Sequence, residues 1–303
     1  MFESALVPVS FREPVARIEA LIGFLRNFNT RAIVLVHVVS SGLSRGGQAQ
    51  RRLAALAAQI GSDAYQTDCV VRSGSPALEI CRVANDRGIE FICIPWKKKD
   101  FLQRTLLGST TQDVARLADV PLFVYKREEI AQQEEATLET VLYATTFDPS
   151  QDRIVPFLRY EGLTARNLYI LHVGWRAPDP TTERTRRRTI AAKLGELEAQ
   201  CRDCFETVSS IAAVGNPKQQ ILKRARECGA DLVVLGKHEQ GRPLDNMLGS
   251  TAERITHHAR ASVLIVPAYE LGSDAAASSV DASREAAGEA AGDHRAEGRE
   301  GAC

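Results

Sequence analysis

The sequence Leu-Gly-Ser-Thr occurs twice in this chain, at residues 107–110 and again at residues 248–251. The two copies are 141 positions apart, and the same spacing separates Gly74 from Gly215. Solenoid proteins repeat every 20–50 residues or so, and a period as long as this one indicates two whole domains. We therefore interpret the 303 residues as two copies of one domain. A site predicted in one copy can be compared with the equivalent residues of the other copy.

Each copy alternates apolar runs with segments of helical periodicity. Residues 32–39 and 168–173 are apolar runs rich in β-branched side chains, which is typical of strands buried on both faces. Residues 13–27 and 46–60 instead place their apolar side chains at helical spacing. Strands that alternate with helices predict a parallel sheet covered on both faces. The predicted fold class is α/β, with two tandem, doubly wound domains that each contain a five-stranded parallel sheet.

The composition divides the chain into four parts. We predict a first domain at 1–127, a polar linker at 128–136 and a second domain at 137–270. Residues 271–303 consist mainly of Ala, Ser, Gly, Glu and Arg and have hardly any large apolar side chain. Such a segment cannot bury enough surface to offset the entropy of ordering, and we predict a disordered tail.

The overall charge argues against two classes of partner. Lys+Arg and Asp+Glu both number 38, so the formal net charge is zero, and the attraction expected for nucleic acid or an anionic membrane is missing. No apolar run approaches the roughly 20 residues of a membrane-spanning helix. The first residues also lack the basic segment of a signal peptide. We expect a cytoplasmic protein whose seven cysteines are free thiols.

The repeated Leu-Gly-Ser-Thr motif has the chemistry of a phosphate-binding loop. In the second copy it follows an apolar strand that ends at Gly236, and it begins a helix. Glycine lets the backbone approach a ligand, and the N–H groups at a helix start attract anions. An ordinary helix N-cap formed by the hydroxyl of Ser250 is the alternative. The candidate phosphate-binding residues are Gly236, Gly249, Ser250 and Thr251 in the second copy and Gly108 and Ser109 in the first.

These motifs resemble the universal stress protein family. Its nucleotide-binding members carry Gly, two residues, Gly, nine residues, then Gly and Ser or Thr, and Gly236, Gly249 and Ser250 match that pattern. The resemblance covers about residues 1–267 as two tandem copies. It implies Rossmann-like domains and ATP as the candidate ligand of the second one. It also implies an internal pseudo-dimer in which the last strands of the two domains, 121–125 and 262–266, pair and hide their edges. The sequence leaves open whether two chains then associate.

Both copies depart from the nucleotide-binding pattern. Glu239 and Lys98 occupy the position of the second glycine, and Pro95 replaces the first glycine in the first copy. Nucleotide-binding members also carry an Asp after the first strand, where this chain has Ser10 and Thr146. A carboxylate such as Glu239 beside a phosphate adds repulsion on the order of a kcal/mol when partly shielded from water. These departures indicate a degenerate nucleotide site.

For other candidate residues, a purely structural interpretation stands beside the functional one. The run Lys97–Lys99 could bind an anion or form a solvated loop. Cys201 and Cys204 have the spacing of a metal or redox pair, but a zinc site needs four ligands, and we predict no metal site. His37 and His172 end equivalent strands, and we predict that they are structural and hydrogen-bonded near the strand ends.

Two functional hypotheses follow. No Ser–His–Asp order or pair of carboxylates stands out, so we predict no catalytic residues. The first hypothesis is a stress-response protein that acts by binding a protein or a ligand, without turnover. The alternative is an ATP-binding stress sensor with its site in the second domain and with slow or no hydrolysis. A nucleotide-handling enzyme would need acid–base residues that the sequence does not display. The stress signal and any protein partner are not identified by the sequence.

Overall fold

The computed structural model describes most of the two repeats. The described residues are 2–39, 46–60, 65–96, 109–126, 137–147, 151–237 and 248–267, with the backbone alone for 151–153. The predicted linker 128–136 and tail 271–303 lie outside these ranges, and the domain boundaries stay predictions.

The first repeat alternates strands and helices in the predicted order. Its strands are β1 (Ser4–Pro8), β2 (Ala32–Val39), β3 (Gln66–Ser73), β4 (Phe91–Pro95) and β5 (Leu122–Tyr125). Its helices are α1 (Val15–Phe24), α2 (Gly46–Ile60), α3 (Pro76–Asp86) and α4 (Ser109–Leu117). A 3-10 turn at Leu25–Phe28 continues α1 and ends at Asn29, whose φ is 52°.

The second repeat has the same order of elements. Its strands are β6 (Thr140–Thr145), β7 (Asn167–Gly174), β8 (Thr207–Val214), β9 (Leu232–Gly236) and β10 (Ser262–Val266). Its helices are α5 (Gln151–Leu158), α6 (Pro180–Cys201), α7 (Pro217–Glu227) and α8 (Ser250–His258). The predicted duplication of an α/β domain is confirmed.

The helices α3 and α7 begin alike but are capped differently. Each starts with proline, which suits the first helical turn because its missing N–H is not needed there. Asn216 caps α7 through its side-chain oxygen, which accepts from the N–H of Lys218 at 2.9 Å. Ser75 occupies the N-cap position of α3, but its side chain makes no capping bond. Instead Glu79 places a negative charge in the first turn of α3.

All ten strands of the described residues form one sheet in the order β3-β2-β1-β4-β5-β10-β9-β6-β7-β8. Neighbouring strands within each repeat are parallel, as predicted. The repeats join where β5 and β10 pair antiparallel, with Phe123 opposite Leu264. The last strands therefore pair with each other, as the resemblance implies.

Each face of the sheet carries one apolar core that contains side chains from both repeats. One core includes Phe2 and Phe28 of the first repeat and Phe157 of the second, and the ring centroids of Phe2 and Phe157 are 4.6 Å apart. The other core includes Val124 and Val263 on the joined strands. The two repeats thus bury their apolar surface together. No helix within the described ranges is long and apolar enough to cross a membrane.

Candidate ligand-binding site in the second repeat

The carboxyl ends of the strands in the second repeat border a cavity of about 340 Å³. Here β6 has β7 on one side and β9 on the other, so the strand order reverses. Ligands of doubly wound sheets bind at such a reversal. The ends of β6, β7 and β9 and the first turns of α7 and α8 supply the wall. Its residues are 143–146, Leu171, Val173, 216–218, Ile221, 235–237 and 249–252.

Four of the six candidate phosphate-binding residues lie together on this cavity. Gly236 ends β9, Gly249 precedes α8, and Ser250 and Thr251 form the first turn of that helix. The N–H of Gly249 donates to the carbonyl of Lys237 at 2.9 Å, which holds the end of β9 beside the start of α8. The structure brings these residues together, while their contact with a ligand stays a prediction.

The start of α8 differs from the serine cap that was the alternative interpretation. Gly249 occupies the N-cap position with φ −57° and ψ 140° and has no side chain that could make a capping bond, and Ser250 is the first helical residue. Glycine carries no side-chain acceptor for the N–H groups of the first turn. This turn therefore presents the positive end of the helix dipole to the cavity.

The start of α7 adds polar groups that the sequence analysis missed. Asn216 and Lys218 both line the cavity, and the Asn216 side chain holds the backbone of Lys218. The Gly-Asn-Pro sequence at 215–217 is the signal that could have found them, because a cap residue followed by proline marks a helix start. Lys218 supplies a cation that can neutralise an anionic ligand.

The described lining residues include lysines but no carboxylate. Lys237 does not direct its charge into the cavity, because its ammonium donates to the carbonyls of Arg116 and Ala118 in the first repeat. Burial lowers the pKa of Lys237, and Asp119 opposes that effect. Among the described lining residues, Lys218 is thus the cation available to a ligand.

The end of β6 carries Thr146 where the family pattern predicts Asp. Thr146 lines the cavity, and the next residue, Phe147, has a φ of 60°. The Phe147 ring stacks on His172 with centroids 4.6 Å apart, and the Lys193 ammonium lies 5.1 Å from the ring centroid. Thr146 places a hydroxyl where nucleotide-binding members carry a carboxylate, so this residue does not repel an anion.

His37 and His172 are hydrogen-bonded near the strand ends, as predicted. The Nδ1 of His37 is 2.6 Å from the carbonyl oxygen of Val9, and the Nδ1 of His172 is 3.0 Å from that of Thr145. Each ring also packs against a phenylalanine. Burial lowers the pKa of His172.

The first repeat differs at the equivalent place. Ser109 begins α4, and Gly108 lies outside the described residues. Pro95 ends β4, and Trp96 stands where the second repeat has Lys237. The guanidinium of Arg17 donates to the Trp96 carbonyl at 2.6 Å. Lys97–Lys99 and Glu239 also lie outside the described residues.

Cys201 and Cys204 lie in different environments. Cys201 is buried at the end of α6, and burial raises the pKa of its thiol to about 11, whereas Cys204 is exposed. A thiol with so high a pKa is a poor metal ligand and nucleophile. Among the described residues, no group of three or more His, Cys, Asp or Glu side chains could hold a metal ion.

The fold and the cavity define a class of protein in which two doubly wound halves share one sheet and a ligand-sized pocket lies at a strand reversal. The chain belongs to the universal stress protein family, whose family model matches residues 1–126 and 137–267.

Individual relatives are distant. A universal stress protein of Methanocaldococcus jannaschii is 28% identical over 74 residues, which are 24% of this chain and 46%, or about half, of that protein. A solved universal stress protein of Archaeoglobus fulgidus is 20% identical with a TM-score of 0.66, covering 88% of this chain and 97% of its own. A Pseudomonas aeruginosa structure, provisionally assigned to the same family, is 16% identical with a TM-score of 0.64 over 88% and 93%. At these identities the two structures show the fold alone.

Proposed function

We propose that the chain acts by binding, without turnover, as a cytoplasmic stress-response protein whose second repeat holds a phosphate-bearing ligand of nucleotide type. The observation that carries this proposal is the 340 Å³ cavity on which Gly236, Gly249, Ser250 and Thr251 meet. Small-molecule sites span about 300–1,000 Å³, and this volume lies within that range. ATP is the ligand that the family resemblance suggests.

The cavity wall combines two kinds of surface that suit such a ligand. Leu171 and Val173 are apolar and can contact a planar base. The starts of α7 and α8, together with Lys218, offer backbone N–H groups, helix dipoles and a cation to phosphate. A molecule with an apolar ring at one end and negative charge at the other matches both surfaces.

The described wall also favours binding over catalysis. Its residues include no His, Asp or Glu, the side chains that most often serve as general bases near neutral pH. A hydrolytic reaction would lack an evident group to activate water. We therefore expect no phosphate release from ATP above the rate without protein. Steady release that disappears in a Gly249→Asp variant would contradict this part of the proposal.

Titration calorimetry with ATP and Mg²⁺ tests the ligand site. We expect one ATP per chain, and at least tenfold weaker binding by Gly249→Asp because a carboxylate would stand at the helix start. Gly195→Asp is the matched control, since a Cβ at this α6 position meets no atom within 4 Å. No heat from the wild type at millimolar ATP would contradict the nucleotide. Unchanged binding by Gly249→Asp would contradict the location.

A deletion strain of the source organism tests the stress-response role. We expect impaired survival under at least one stress that a wild-type copy restores and a Gly249→Asp copy does not. If the Gly249→Asp copy also restored survival, the stress role would not depend on the cavity, and this part of the proposal would be contradicted. Fractionation should place the protein in the cytoplasm, and recovery in another compartment would contradict that placement.

A further inference from the structure

Lys237 connects the cavity wall to the first repeat. The residue follows β9, lines the cavity and is 1% exposed. Its Nζ donates to the carbonyl oxygen of Arg116 at 2.6 Å and to that of Ala118 at 3.0 Å. These carbonyls lie at the C-terminal end of α4, where a helix leaves acceptors without partners and its dipole favours a cation.

The backbone of Lys237 holds the part of the cavity where phosphate would bind. Its N–H donates to Val266 on β10 at 2.8 Å, and its carbonyl accepts from the N–H of Gly249 at 2.9 Å. Gly249 leads directly into the first turn of α8. One residue therefore ties β9, β10 and the start of α8 to α4 of the other repeat.

The first repeat has Trp96 at the equivalent position, 141 residues earlier. Its N–H makes the same backbone bond, to Tyr125 at 2.7 Å. The reciprocal contact across the repeats comes from another place, because the Nζ of Lys126 donates to the carbonyl of Ala259 at 3.0 Å. Ala259 is the equivalent of Ala118 and follows α8.

Lys126 and Lys237 make equivalent contacts across the two repeats. Each is buried, and each donates to the carbonyl that follows the last helix of the opposite repeat. Lys126 does not line the cavity, whereas Lys237 does. A difference between their variants would therefore report on the cavity and not on the joining of the repeats in general.

We propose that Lys237 is a positioning residue through which α4 of the first repeat fixes the ligand cavity of the second. The ammonium is anchored on the α4 carbonyls, and the Lys237 backbone in turn sets the distance between the end of β9 and the start of α8. Both repeats thus build one ligand site. The inference deepens the proposed function, and the part that concerns ligand affinity rests on it.

Hydrogen exchange of the ligand-free full chain tests the positioning directly. In Lys237→Met we expect the amide of Gly249 to exchange at least tenfold faster than in the wild type, relative to the amide of Ile170 in the centre of β7. In Lys126→Met we expect that ratio to stay within twofold of the wild type. Lys237→Gln retains a donor, should give an intermediate ratio, and replaces the Met variant if that one does not fold.

Two exchange results would overturn the proposal. One is an unchanged ratio in the Lys237 variants. The other is an equal rise in the Lys126 and Lys237 variants, because both lysines would then act only through general stability.

ATP calorimetry extends the test to the ligand. We expect Lys237→Met to bind ATP at least fivefold more weakly than the wild type and Lys126→Met to bind as the wild type does. Equal affinity of Lys237→Met and the wild type would contradict the positioning. If the wild type binds no ATP, the nucleotide proposal fails, while the exchange ratio still decides the role of Lys237.

Discussion

Phe11 and Phe147 show at residue scale how the two repeats keep the same strained feature. Each follows the first strand of its repeat, and their φ values are 59° and 60°. Bulky residues rarely adopt this left-handed region because Cβ approaches the following carbonyl oxygen. Each ring packs on a histidine and beneath a cation, Arg52 or Lys193. We infer that these contacts offset the cost of the backbone conformation.

Phe147 should therefore tolerate glycine better than alanine. Both substitutions lose the ring contacts, but glycine adopts positive φ without the penalty that alanine retains, about 1 kcal/mol. We expect Phe147→Gly to have a higher free energy of unfolding than Phe147→Ala in urea denaturation. Phe157, inside α5, is the control and should show the opposite order. Alanine equal to or better than glycine at 147 would contradict the strain.

Lys126 should make stability depend on pH. Burial lowers the pKa of Lys126 from 10.5 to about 7. Between these values the unfolded chain binds more protons than the native chain, so the free energy of unfolding rises with pH from 7 upward. We expect Lys126→Met to reduce the rise between pH 7 and 9 by about 2 kcal/mol.

Urea denaturation at pH 7, 8 and 9 measures this difference. Lys237 shifts in the same direction as Lys126 and is present in both proteins, so it cancels in the comparison. The exposed Lys223→Met is the control and should keep the wild-type slope. If the free energy of unfolding of Lys126→Met rose with pH as steeply as that of the wild type, the assignment of this pH dependence to Lys126 would be contradicted.

At the scale of elements, Asn27 joins the 3-10 turn after α1 to the second repeat. Its side-chain oxygen accepts from the N–H of Leu138 at 3.0 Å and from the hydroxyl of Thr164 at 2.7 Å. Its amide group donates to the carbonyl of Phe24 at 2.9 Å. The side chain is buried, as are Leu138 and Phe24, so these two partners have little access to water without it, whereas Thr164 is exposed.

Asn27→Leu should be strongly destabilising. The change removes two buried hydrogen bonds and one partly buried one and leaves the N–H of Leu138 without that acceptor, and we expect a loss of about 2–4 kcal/mol in the free energy of unfolding. Asn85→Leu, at an exposed position of α3, should stay within about 0.5 kcal/mol of the wild type. A loss below about 1 kcal/mol at Asn27 would show that the turn does not hold the repeats together.

The elements could be predicted where local physics decides them. The apolar run 32–39 became β2 with the same bounds, because a strand buried on both faces needs continuous apolar side chains. The cavity residues Gly236 and Gly249 could be found because a glycine at a strand end and a glycine at a helix start are local sequence signals of a phosphate-binding loop. Lys126 and Lys237 could not be found, because their acceptors lie across the joint between the repeats. Their charged side chains gave no local sign of burial.

For the whole molecule, we infer from the joint between β5 and β10 that the two repeats form one folding unit. The apolar cores on both faces contain side chains from each repeat, and β10 is fully buried against β5. Neither repeat should be stable with that strand uncovered, since an apolar strand edge is a template for pairing.

Light scattering of the full chain and of residues 137–267 tests this dependence. We expect the full chain to be monomeric at 33.2 kDa, because β5 already covers β10. The fragment should dimerise or aggregate, because the edge of β10 is then free to pair. A folded, monomeric fragment would contradict a shared folding unit.

A crystal structure of the full chain grown with ATP and Mg²⁺ tests the central claim, that this duplicated scaffold carries its ligand site in the second repeat. We expect one nucleotide per chain, with its phosphates against Gly249, Ser250 and Thr251 and its base toward Val173. Nucleotide ordered beside Ser109 in the first repeat, or a cavity that stays empty at saturating ATP, would contradict it.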